Sequence, residues 1–118
     1  MTKGQVEAKI SEAVTKFEIE YMGRGPKQIK TKIVDDLIII RLQGFITPAE
    51  QKLAEKDNGV ELIKNLRTKL FESAEEEFKS LIKDIVDIEI TSVHSDVSTR
   101  RGEKIIIITS PNNIEEKF

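Results

Sequence analysis

The chain predicts an α+β fold in the order α-β-β-α-β-β, with a four-stranded, mostly antiparallel sheet and helices packed on one of its faces. Three observations carry this reading. Apolar residues recur at helical spacing from Val6 to Tyr21 and again from Leu53 to Ile85. Two isoleucine-rich runs, Leu37 to Ile40 and Ile105 to Ile108, have the length and composition of strands. The 118 residues have the length of one domain and show no repeat of solenoid type, so residues 1–118 are expected to form a single domain.

In the first helix Val6, Ile10, Ala13, Val14, Phe17 and Tyr21 share a face, and Glu7, Lys9, Glu12, Lys16, Glu18 and Glu20 are mostly turned elsewhere. Gly23 ends it in the left-handed conformation, and Pro26 prevents continuation. Gln28 to Val34 and Leu37 to Gln43 then read as a hairpin turning at Asp35 and Asp36. Thr47-Pro48-Ala49-Glu50 is a helix start: a threonine cap, proline at the first helical position and a glutamate that completes a capping box. Asp57-Asn58-Gly59 breaks this helical region, which is expected as a short helix followed by a long one running to Ile85. Ile85 to Ser95 is the third strand, with Val86, Ile88 and Ile90 on one face. A loop from Asp96 to Gly102 leads to the fourth, Glu103 to Ser110, and the tail 111–118 is expected to be loose and flexible.

Composition narrows the functional classes. Folding a chain of this size removes roughly two thirds of the extended surface from water, enough for a true core. With no cysteine and one histidine, neither a disulfide framework nor a transition-metal site is expected, and no cofactor is indicated. A reducing cytoplasm is the expected compartment. The N-terminus lacks the apolar run of a signal peptide, and no apolar segment is long enough to cross a bilayer, so direct membrane insertion is not expected. A net charge of −2 argues against general nucleic-acid binding. Between Met22 and Gln43, however, five basic residues face two acidic ones, a pattern of an edge strand protected by lysines or of a local anion patch.

The isoleucine runs are apolar on both faces, whereas a strand wet on one side alternates. Two helices cover one face of four strands, so the other is expected to meet a second copy of the chain. Burying ~600 Å² of apolar surface per chain would contribute on the order of 15 kcal/mol before association costs. A homodimer is the expected state.

Arg67 is the polar residue that stands out, because it lies within the apolar stripe of Leu53, Val60, Ile63, Leu70, Ala74, Phe78, Leu81 and Ile85. A guanidinium there requires a partner, and Asp35, Asp36, Glu50 and Asp96 are all candidates. Arg24 and Gly25, in Gly23-Arg24-Gly25-Pro26-Lys27, could present cations and N–H groups to an anion, although the spacing is neither a Walker loop nor a dinucleotide fingerprint. Arg100, with Arg101 and Gly102, occupies the last hairpin loop and could hold an anion or an acidic partner. Ser92, His94 and Asp96 share a strand face, yet no nucleophile, base and oxyanion site converge in the pattern, and the chain reads as non-catalytic.

The segment Tyr21-Met22-Gly23-Arg24-Gly25-Pro26, then Asp36 opening an aliphatic strand, Gly44 and Thr47-Pro48-Ala49-Glu50, resembles the MpsC-like family of small prokaryotic proteins. That family is described as a component of a sodium-translocating, membrane-potential-generating system and was formerly a domain of unknown function. The resemblance continues through Gly59 to Arg67 and Asp96, with Ile46 where the family pattern has leucine. It implies a cytoplasmic accessory or regulatory protein beside membrane transporter subunits linked to cation translocation and inorganic carbon uptake. No molecular activity is implied. From the residues themselves, the other reading is a sensor for a small anion or nucleotide held by Arg24 and Arg67.

Overall fold

The computed structural model describes residues 1–118. Helix α1 (Lys3–Met22) starts at a Thr2 and Gln5 capping box and ends at Gly23, whose φ of 83° is the left-handed cap expected there. Strands β1 (Gln28–Val34) and β2 (Leu37–Gln43) form the predicted hairpin, with Asp35 at φ 53° in its turn. Helices α2 (Pro48–Ala54), α3 (Gly59–Ser73) and α4 (Glu75–Ile85) follow, then β3 (Ser92–Ser98) and β4 (Glu103–Thr109). The sheet is antiparallel throughout, in the order β1-β2-β4-β3, which places both isoleucine-rich strands at its centre and the lysine-bearing β1 at an edge.

The helices cover one face. On that side Thr31 and Ile33, Ile38, Ile40 and Leu42, Ile106 and Ile108, and Val97 are buried, meeting Val6, Ile10, Val14 and Phe17 of α1 and Phe71, Phe78 and Ile82 of α3 and α4. Thr31 is buried without penalty because its hydroxyl bonds Ser11 of α1 at 2.7 Å. On the opposite side the residues alternate out of the core, with no helix above them.

The long second helix is interrupted at Ala74, whose φ of −112° and ψ of 13° leave the helical range. Phe71 and Phe78 would lie about 10 Å apart along a straight helix axis. At the break their rings approach to 5.2 Å, and Phe17 joins both, 6.2 Å from Phe71 and 5.3 Å from Phe78. Aromatic packing thus replaces one turn of helix continuity. The buried face also shifts by one residue from the predicted stripe, taking Phe71 and Ile82 in place of Leu70 and Leu81.

Two further expectations are corrected. Val86 to Thr91 is an extended connection outside the ladder, and β3 begins only at Ser92, because pairing with β4 is set by the short turn at Thr99 to Gly102. Asp96 therefore lies within a strand. The tail is docked, with Ile114 fully buried and its N–H bonded to the Asp35 carbonyl at 2.7 Å.

Candidate functional site

Arg67 finds its partner in Glu50. The guanidinium donates from Nε to Oε2 and from Nη2 to Oε1, both at 2.8 Å, a bidentate fork at which Arg67 is only 8% exposed. Its carbon centre also lies 4.6 Å from the centroid of the Phe45 ring, so the cation is covered by an aromatic face. The same carboxylate completes the capping box: Oε1 accepts from the Thr47 N–H at 3.1 Å and hydroxyl at 3.0 Å, while the Glu50 N–H donates to Thr47 Oγ1 at 3.2 Å. Burial pushes the Glu50 carboxyl upward, but the bonds from Arg67 and Thr47 outweigh it and hold the group below the usual carboxylate range. Capping and ion pairing are one device, which fixes α2 to α3.

A second buried pair lies behind it. Lys104 Nζ meets Glu18 Oε1 at 3.0 Å with both side chains 2% exposed, and sits 4.4 Å from the Phe71 ring centroid. Burial, opposed by Glu18, leaves the Lys104 amine below its ordinary value. Glu18 thus faces the core, contrary to the sequence reading. Its position was legible: Val6, Ile10, Val14 and Glu18 follow one another at intervals of four, and Lys104 has the parity of Ile106 and Ile108.

The remaining candidates divide into two places. The register aligns Gln28, Gln43, Glu103 and Ser98 at one end of the sheet, bringing the segment before β1 beside the β3–β4 turn. Gly44, at φ 76°, donates its N–H to the Gly102 carbonyl at 2.9 Å, and a Cβ there would stand 2.9 Å from the Lys27 side chain. At this end a cleft of about 660 Å³ is lined by Arg24, Lys27, Arg100 and Arg101, together with Glu55 just after α2 and Val60 of α3. Arg24 and Arg100 therefore line one cleft. Gly25 lies against Ile19 and Thr15 of α1 as part of the turn into β1.

Asp36 is at the opposite end of the sheet, exposed, its carbonyl accepting from the Ser110 N–H. His94 and Asp96 project with Ser92 from the uncovered face; Ser92 Oγ is 3.0 Å from His94 Nε2, and Asp96, with 82% of its side chain exposed, meets Lys64 at 3.3 Å. Neither residue lines the basic cleft at the end of the sheet. Arg67, tied to Glu50, does not line the cleft that holds Arg24, so the two arginines do not form one anion site.

The family model described as the Na+-translocating membrane potential-generating system (MpsC) matches residues 2–110. The chain belongs to the MpsC family. In Bacillus subtilis (strain 168) the chain is similar to "Uncharacterized protein YbcI", 37% identical over 99% of this chain and 94% of that protein's length. "Uncharacterized protein YrhF" of the same organism is 20% identical over 91% of this chain and 88% of its own. No solved structure matches the chain. The match to the MpsC model spans every element from α1 to β4, including the Arg67 and Glu50 pair and the basic cleft.

Proposed function

We propose that this MpsC-family protein is a non-catalytic accessory or regulatory component, cytoplasmic and homodimeric, that serves a membrane cation-translocating or inorganic-carbon uptake system by docking onto its subunits. The family description supplies the system. No helix is long and apolar enough to cross a membrane, so the chain serves such a system through other subunits. His94 and Asp96 on an exposed strand face, rather than in a concave site, support a role in binding over covalent chemistry.

The observation that carries the dimer is the uncovered sheet face. At its centre Leu37, Ile39, Ile105 and Ile107 are half-buried under nothing but their neighbours. Lys30 and Lys32 flank them on β1, and His94 and Asp96 on β3. A two-fold axis parallel to the strands lays β1 of one copy over β3 of the other, so that Lys30 meets Asp96 across an isoleucine centre. A two-fold axis perpendicular to the strands, in the same plane, would instead set lysines on lysines. Affinity purification of the tagged protein from native membranes tests the docking: co-purification of cation-transporter subunits is expected, and their consistent absence would contradict it.

A further inference from the structure

We infer that the basic cleft at the end of the sheet is a binding site for a small polyphosphate anion, recognised by its phosphate chain. This stands apart from the dimer and from any membrane partner, since it uses other residues.

Four cations from two distant segments converge there, Arg24 and Lys27 before β1 and Arg100 and Arg101 after β3, against the single carboxylate of Glu55. A formal surplus of three positive charges lines one cleft of a chain whose net charge is −2. None of these four side chains takes part in an ion pair, whereas Arg41, Arg67 and Lys104 are each matched to a glutamate. Like charges held close and unneutralised disfavour the empty site, and an anion relieves that repulsion. The wall contributes more. Asn58 opens α3 in the left-handed conformation with no side-chain cap, and the N–H groups of Val60 and Glu61 take no protein acceptor. Val60 lines the cleft, so the positive end of the α3 dipole adds to the four cations.

Shape and lining select the ligand class. The volume falls within the range of about 300–1,000 Å³ common for small-molecule sites. Its lining has no aromatic side chain, and Ile46, Ala54 and Val60 are its apolar members, which leaves no platform for stacking a base. Arginine forks suit phosphate oxygens, and four cations spread around the rim suit several linked phosphates better than one. A nucleoside triphosphate would engage through the same chain, with its base outside the site.

Calorimetric titration of the full chain with inorganic tripolyphosphate tests this, beside orthophosphate and ATP. Saturable binding of tripolyphosphate is expected, with ATP within a few-fold and orthophosphate at least about tenfold weaker, as expected from the loss of several charge-assisted bonds. Arg24→Ala and Arg101→Ala should each weaken binding about tenfold. Glu55→Gln should tighten it, an effect that misfolding cannot mimic, while Lys9→Ala and Lys117→Ala, outside the cleft, should leave it unchanged. The inference is overturned by absence of tripolyphosphate binding, by equal weakening from the two outlying lysine variants, by ATP binding without tripolyphosphate binding, or by capture of an acidic peptide alone.

Discussion

The Glu50 carboxylate holds the Arg67 guanidinium through two bonds of 2.8 Å while its Oε1 caps the helix it belongs to. One carboxylate thus does two tasks. The capping box orients Glu50 in the first turn of α2, and that orientation sets the fork at the distance where Arg67, on the buried face of α3, can reach it. The apolar helix face tolerates a cation because its charge is met by a preset partner and by the Phe45 ring.

Arg67→Ala should therefore cost about 2–3 kcal/mol, less than the full penalty for breaking a deeply buried pair because Glu50 keeps 19% of its side chain in water. Glu50→Gln should cost less than Arg67→Ala, since glutamine preserves the capping geometry and one arm of the fork. Chemical denaturation of the three proteins checks the order, and equal stability of all three would contradict it.

Acid sensitivity follows from the same pair. Because the folded protein holds the Glu50 carboxyl below its ordinary value of 4.5, the unfolded chain binds more protons in that window. The associated stability is complete above that ordinary value and is lost as pH falls through the lower folded value. Urea midpoints between pH 7 and pH 3 should drop more steeply for the wild type than for Glu50→Gln; parallel curves would exclude Glu50 as a contributor.

The Glu18 and Lys104 pair predicts strong coupling. Lys104→Met alone leaves a carboxylate that is 2% exposed with no partner and should cost about 3–5 kcal/mol. The double variant Glu18→Leu, Lys104→Met removes both charges from the core and should recover most of that loss. A double-mutant cycle measures it, and additive losses would show that the two charges act independently.

Much of this architecture was legible in the sequence. Helix α1 and its Gly23 cap, the first hairpin and the Thr47 to Glu50 capping box follow from local periodicity and cap chemistry, which short segments carry unaided. The break at Ala74 was not legible, because no glycine or proline marks it and the aromatic cluster around it is completed by Phe17 of α1. The start of β3 is not legible for a related reason: Val86, Ile88 and Ile90 alternate as a strand does, but the register is fixed by β4. Arg67 drew attention as a charge among apolar neighbours. Glu18 follows the same rule, and Lys104 its strand counterpart, although the acids around Glu18 in α1 suggest an outward face for it. The cleft is not legible in the sequence because its two basic segments are distant along the chain and become adjacent only through sheet register.

Gly59 offers a test of how tightly α2 and α3 are joined. A Cβ at this position would sit 1.7 Å from the Leu53 carbonyl oxygen, so the end of α2 must move to admit it. Alanine ordinarily favours a helix over glycine, but here Gly59→Ala should destabilise by at least about 2 kcal/mol. Thermal unfolding decides the sign, and a stabilised variant would show that the two helices are not in close contact.

The uncovered isoleucine face makes the most direct demand, because the proposed homodimer rests on it. Sedimentation equilibrium on the wild type and on Ile107→Lys settles it. A wild-type particle of twice 13.4 kDa, reduced to a folded monomer by the lysine, is the expected result. A wild type that remains at 13.4 kDa across the concentration range would contradict the proposed dimer.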